Sequence, residues 1–210
     1  TPLHSVVAQW HSLQEKSVAI ATVLIRAGAD VNARLEKETH FSEPVLFLAA
    51  GEDISLVTLL LNLGGADLYA LDDTGNNVLH EAASNGDLVT VKYLVERGLS
   101  VNARNNSGAS VLFKAAIFGN PDVVEYLIKK GAKLNTRTKN GSPLIVYFGV
   151  NTCYLFDKRH DKDKYLLYLR ENKLKILDIL LLNGANPKAR AYDGDAVDWF
   201  EKYCERYDGA

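Results

Sequence analysis

The feature that most constrains this chain is that it begins again before it has finished. Val101-Asn102-Ala103-Arg104 returns as Leu134-Asn135-Thr136-Arg137, and Asn106-Ser107-Gly108 returns as Lys139-Asn140-Gly141, both 33 residues on. Apolar stretches end at Gly28, Gly65, Gly98, Gly131 and Gly184, and a second set, Gly75, Gly108, Gly141 and Gly194, follows the last four at one constant offset. Two markers that keep phase with each other mean that one supersecondary unit recurs. A unit of this size cannot bury its own apolar side, so the units have to stack into a solenoid.

Between the markers the apolar pattern has a helical period. It runs through Ile20/Ala21/Leu24/Ile25, Thr90/Val91/Leu94/Val95, Val123/Val124/Leu127/Ile128 and Ile176/Leu177/Leu180/Leu181. Positions i, i+1, i+4 and i+5 lay one stripe along a helix, and the glycine that follows supplies the left-handed residue that ends it. Asn120-Pro121 reads as a helix start, with Asn as N-cap and Pro in the first turn. A shorter helix precedes each long one, opening at Thr1-Pro2-Leu3-His4, at Asn77 and at Ser110. The small pairs Ala49-Ala50, Ala82-Ala83 and Ala115-Ala116 let these shorter helices approach one another closely. The turn signals "DDTG" (72–75) and "NNSG" (105–108) reverse the chain between units.

"TPLH" at 1–4, "NVLHEAASNGD" at 77–87 and "GADVNA" at 28–33 resemble the ankyrin repeat. The resemblance implies an all-α solenoid of helix–loop–helix units joined by β-hairpin fingers, forming a single domain over residues 1–210. Five repeats are expected at 1–34, 35–70, 71–103, 104–136 and 137–189, closed by a capping half repeat at 190–210. Repeats 3 and 4 match closely. Repeat 1 is longer between its helices, around Trp10 to Lys16, and "LEKETHFSEP" (35–44) lengthens the following finger. Repeat 5 holds an insertion between Leu144 and Leu180, read as an extended first helix, the charged linker "DKRHDKDK" (157–164) and a long second helix.

Composition narrows the function. A formal net charge of −2 gives no basic field for nucleic acid. The longest apolar runs, Pro143 to Val150 and Ile54 to Leu61, are too short to cross a bilayer. The chain contains no Met, so Thr1 is not read as a translation start. The expected compartment is cytoplasmic by default, and periplasmic or secreted if a signal peptide lies ahead of Thr1. His4 and His80 hold the place where the resemblance implies an imidazole bonded to loop backbone and to the N-cap side chain. His11, His40 and His160 have no partner at metal-ligand spacing. The acids around His160 (Asp157, Asp161, Asp163) alternate with cations, which opposes metal binding. Cys153, His160 and Asp157 are close in sequence, but proximity supplies neither a base within reach nor an oxyanion donor. No catalytic residue, cofactor or metal is therefore assigned. Whether Cys153 and Cys204 are bridged is left open. Eleven of the nineteen aromatics follow Ser142, and Tyr147, Tyr154, Phe156, Tyr165 and Tyr168 fit the larger core of a longer repeat better than a contact surface.

The resemblance implies recognition of another protein, possible partner enzymes included, by a chain that is monomeric when alone. The finger positions are Arg34, Glu36, Lys37, Phe41, Asp73, Thr74 and Asn76, then Asn106, Ser107, Ala109, Lys139, Asn140, Tyr192 and Asp193. The concave positions are Glu81, Ser84, Asn85, Lys114, Ile117 and Phe118, of which Ile117 and Phe118 are apolar where repeat 3 has Ser84 and Asn85. Two functional classes fit: a non-catalytic interaction module, and a dedicated regulator or inhibitor of self-protection type that covers the active site of one enzyme.

Overall fold

The computed structural model describes residues 1–13, 15–35, 43–145 and 164–190. Repeat 1 contains α1 (Pro2–Ala8), a single extra turn α2 (Trp10–Leu13) and α3 (Glu15–Arg26). The strands β1 (Arg34–Leu35) and β2 (Glu43–Pro44) lead into α4 (Val45–Glu52) and α5 (Ile54–Asn62). Then come α6 (Val78–Asn85), α7 (Leu88–Glu96), α8 (Val111–Ile117), α9 (Pro121–Lys129) and α10 (Lys164–Leu182). Helices α1, α4, α6 and α8 pack in succession as one layer, and α3, α5, α7, α9 and α10 as the other. The result is a two-layered all-α solenoid.

The alanine pairs explain the inner layer. Ala49, Ala50, Ala82, Ala83, Ala115 and Ala116 are all 1% exposed or less, so backbones meet with no larger side chain between them. In the outer layer the predicted stripe is buried at Thr90, Val91, Leu94, Val123, Val124, Leu127, Ile176 and Leu180. Ile20 and Leu181 depart from it, each 40% exposed. Ile20 lies in α3, which no described outer helix precedes. Leu181 lies in the last turn of α10, beyond which no further described helix packs.

Local chemistry sets the helix starts. Thr1 caps α1, with Pro2 in its first turn. The Asn77 side chain accepts from His80 N, and Asn77 N donates to His80 Nδ1, each at 3.2 Å. This is a reciprocal capping box with His in the place of the usual Glu or Gln. Ser110 Oγ accepts from Phe113 N at 3.2 Å. Asn120 corrects an expectation. It stands at the N-cap of α9, but its side chain makes no capping bond there.

The fingers are slighter than full hairpins. Arg34 pairs with Pro44 and Leu35 with Glu43 in antiparallel register, with the longer segment 36–42 between them. Three further described fingers keep one bridge each, Leu71–Asn77, Arg104–Ser110 and Arg137–Pro143. Gly75 shows why a finger turn takes glycine. Its φ is +77°, and a Cβ there would come within 2.4 Å of Asn106 Oδ1 on the next finger. The long second helix expected of repeat 5 is present as α10. The remainder of its extended first helix after Ile145, most of the charged linker, both cysteines and the capping half repeat after Arg190 lie outside the described residues.

Candidate protein-binding surface

The finger loops are held from within. Asp72 Oδ1 accepts from Thr74 N and from Asn76 N, both at 2.8 Å. The Asn76 amide donates to Asp72 Oδ2 at 2.9 Å and to Thr74 Oγ1 at 2.7 Å, while its oxygen accepts from Asn105 Nδ2 at 2.9 Å. Asn76, expected on the contact surface, is only 7% exposed, because its polar atoms are committed to the loop. Ala109 is buried as well. Arg34, Asp73, Thr74, Asn106, Ser107, Lys139 and Asn140 are exposed. Glu36, Lys37, Phe41, Tyr192 and Asp193 lie outside the described residues.

Neighbouring fingers are also tied together. Asn106 N donates to Thr74 O at 2.9 Å, and Lys139 N to Ser107 O at 2.8 Å. A guanidinium ladder runs beside these bonds. Arg34 Nη2 donates to Leu71 O at 2.7 Å, Arg104 to Arg137 O, and Arg137 Nη1 to Arg190 O at 2.6 Å. Arg34 also pairs with Asp73 at 3.7 Å.

Aligning the inner helices gives columns across their outward face. One column is Ser5, Leu48, Glu81 and Lys114, the next is Ala8, Gly51, Ser84 and Ile117, and the third is Gln9, Glu52, Asn85 and Phe118. Asn85 Nδ2 donates to Glu81 Oε1 at 3.0 Å, which fixes the polar middle. Phe118 closes α8 and is 55% exposed, with the Lys114 ammonium 5.9 Å from its ring centroid. Ile117 is half-buried against the core. Of the expected apolar pair, Phe118 alone is largely open to solvent.

Beneath this face lies a feature that sequence reasoning missed. Asn120 Nδ2 donates to Ala83 O at 2.9 Å and to Ser84 O at 2.7 Å, closing the end of α6 from the next repeat. One repeat further on, Lys173 Nζ donates to Ala116 O at 3.0 Å and to Ile117 O, closing α8 in the same manner. Counting back from Gly131 and Gly184 shows that Asn120 and Lys173 occupy the same place. Lys173 is only 6% exposed, and burial lowers its pKa to about 8. The alignment of the closing glycines was the available signal, once repeat 5 is counted backwards past its insertion.

His4 behaves as the resemblance implies, and His80 does so at its N-cap side alone. His4 Nε2 donates to Glu43 O at 3.0 Å, and Thr1 Oγ1 meets His4 Nδ1 at 2.6 Å. His80 is 1% exposed, and burial pulls its pKa down to about 4 against the opposing effect of the Ala109 carbonyl. The His4 ring holds the chain ahead of α4, and the His80 ring is tied to its own N-cap residue Asn77 through Nδ1. Among the described residues no three His, Cys, Asp or Glu side chains gather as metal ligands, and no helix is long and apolar enough to cross a membrane.

Stacked helix pairs with bridged fingers define a helical-repeat solenoid. The family profile described as ankyrin repeats (3 copies) matches residues 45–138, and this stretch of the solenoid is an ankyrin-repeat array. Ankyrin repeats are protein–protein interaction modules. Similar curated proteins include alpha-latrocrustotoxin-Lt1a of Latrodectus tredecimguttatus, 36% identical over 89 residues, which are 41% of this chain and 6% of the toxin. The interferon antagonist OPG040 of vaccinia virus (strain Western Reserve) is 33% identical over 95 residues, 45% of this chain and 31% of that protein. L-asparaginase of Dirofilaria immitis is 38% identical over 64 residues, 30% of this chain and 11% of that enzyme. The chain thus spans less than a third of the length of each of these relatives.

Proposed function

We propose that the chain is a non-catalytic recognition module that binds a partner protein across the face of its inner helices, with the exposed finger residues alongside. Phe118 carries the reading. A half-exposed aromatic beside Lys114, with polar Ser84 and Asn85 on the neighbouring helix, has the composition of an interface anchor inside a polar rim. The helix beneath it is held by Lys173, so the ring is presented from a fixed backbone.

The test is affinity capture with the native chain and Phe118→Ala in parallel, followed by titration of the retained protein. Loss of an anchor costs about 2 kcal/mol, roughly 30-fold in affinity, with folding stability unchanged. Equal affinity for both chains would remove Phe118 from the interface.

A second reading is a dedicated regulator that covers the active site of one enzyme. It is favoured by α10, which begins at Lys164, although the residue aligned with the start of α9 is Leu174. A unit reshaped in this way suits one partner better than many. Turnover of the captured protein, measured with and without the chain, separates the two: a regulator lowers the rate, and an adaptor leaves it unchanged.

A further inference from the structure

Two clefts occupy matching places beside the bases of the fingers. One, of about 470 Å³, lies where repeats 1 and 2 meet, with Asn32, Arg34, Asp67, Tyr69 and Leu71 in its wall. The other, of about 340 Å³, lies where repeats 4 and 5 meet, with Asn135, Arg137, Asn186, Lys188 and Arg190 at the corresponding positions. Their framework is the same. Asn32 Oδ1 accepts from Asp67 N at 2.8 Å, and Asn135 Oδ1 accepts from Asn186 N at 3.1 Å. Arg34 holds the Leu71 carbonyl as Arg137 holds that of Arg190. On this common scaffold three side chains differ: Asp67 against Asn186, Tyr69 against Lys188 and Leu71 against Arg190.

The exchange changes the charge of the cleft. The first wall holds one cation, one carboxylate and two apolar side chains, Tyr69 at 66% and Leu71 at 49% exposure. Among the described residues, the second holds three cations and no carboxylate. Lys188 and Arg190 are exposed, and among the described residues neither is in an ion pair. The sign of this wall is opposite to the net charge of −2 that the whole chain carries. Three neighbouring cations repel one another, and an arriving anion relieves that repulsion and is drawn in from a distance.

We infer that the cleft between repeats 4 and 5 binds the carboxylates of an acidic segment of a partner protein. The bond from Arg137 uses only the backbone carbonyl of Arg190, which leaves the Arg190 guanidinium for two-point contact with a carboxylate. The cleft is the size of a few side chains, and among the described residues no aromatic in its wall offers a base a stacking surface, which favours a peptide over nucleic acid. This surface is separate from the face around Phe118. It requires of the proposed function only that the partner be a protein.

The probe is an end-blocked hexaglutamate peptide, titrated into the isotope-labelled chain at low salt while backbone amide resonances are followed. Shifts centred on residues 135–137 and 186–190 are expected, with affinity falling between 50 and 200 mM salt as exposed charges are screened. Lys188→Gln with Arg190→Gln, both at exposed positions, should weaken binding about tenfold. Asp67→Asn, Tyr69→Lys and Leu71→Arg together should create a second site in the other cleft. Absence of binding, binding indifferent to the Lys188 and Arg190 changes, or equal affinity for inorganic phosphate or a thymidine decamer each overturns the inference. Phe118→Ala leaves the titration unchanged, so failure here and failure of the groove reading are told apart.

Discussion

Repeats 3 and 4 are joined by an amide, and repeats 4 and 5 by an ammonium. Asn120 reaches the carbonyls of Ala83 and Ser84 from the short loop before α9. Lys173 reaches those of Ala116 and Ile117 from inside α10, a helix already under way since Lys164. What the two joints share is the need at the end of an inner helix, whose last carbonyls lack partners within the helix. What differs is the donor. A loop residue can supply a neutral amide at short reach, whereas a residue in mid-helix needs a long side chain, and lysine brings a charge with it. The irregular repeat therefore keeps the contact and changes its chemistry.

Core substitutions test whether the two joints are equally well packed. Leu94 and Leu127 are both fully buried, at matching positions in α7 and α9. Leu94→Ala and Leu127→Ala should each cost about 2–5 kcal/mol in chemical denaturation. A Leu127→Ala loss near 0.5 kcal/mol, alongside a full loss at Leu94, would mean that repeat 5 is loosely seated.

Acidity should act on the regular side through His80. The His80 pKa is lowered to about 4 in the folded chain from 6.5, so between those values the unfolded chain binds a proton that the folded chain does not. Stability is complete above about pH 6.5 and falls toward pH 4 by at most about 1.4 kcal/mol per pH unit. Urea midpoints across that range, compared with His80→Gln, measure the effect. A variant that keeps the full slope would assign the slope to other groups.

Removing the ammonium should cost more than removing the amide. Lys173→Met leaves two carbonyls without their donor in a buried place, at about 1–3 kcal/mol, and Asn120→Ala should cost about 1 kcal/mol. The Lys173 effect carries its own pH sign. Its pKa is lowered to about 8, so stability should rise as pH climbs from about 8 toward 10.5, where the folded chain has lost a proton that the unfolded chain keeps. Lys173→Met should abolish that rise.

The smallest effect should come from Phe118→Ala. With more than half of the ring in solvent, the stability change should stay within about 0.5 kcal/mol. A loss of several kcal/mol would make Phe118 a packing residue and end its use as an anchor.

The period and the helix phases were legible because each depends on residues near one another in sequence. The Ala pairs and the glycine that closes each helix are of this kind. The role of the histidines came instead from the family resemblance, since His4 meets Glu43 O 39 residues away. Lys173 was not legible, since a lysine in "LRENKLKILDILL" reads as one more solvated charge until the insertion is subtracted. Asn120 was read as a cap for its own helix, since nothing local to it names the carbonyls of Ala83 and Ser84 as better acceptors. The buried place of Asn76 depends on Asn105, which lies on the next finger. The two clefts were invisible for the same reason: Arg34 meets Leu71, and Arg137 meets Arg190, only after the units have stacked.

The bonds from finger to finger determine when the surface loses its freedom. Separate hairpins would each be ordered at the moment a partner arrived, and the association would bear that entropy cost. Here Asn106 on Thr74, Lys139 on Ser107 and the arginine ladder brace the fingers against one another before any partner is present. Their ordering belongs to folding. On the proposed reading, a partner would meet described fingers that are already braced, and a weakened brace should show itself first as faster dissociation.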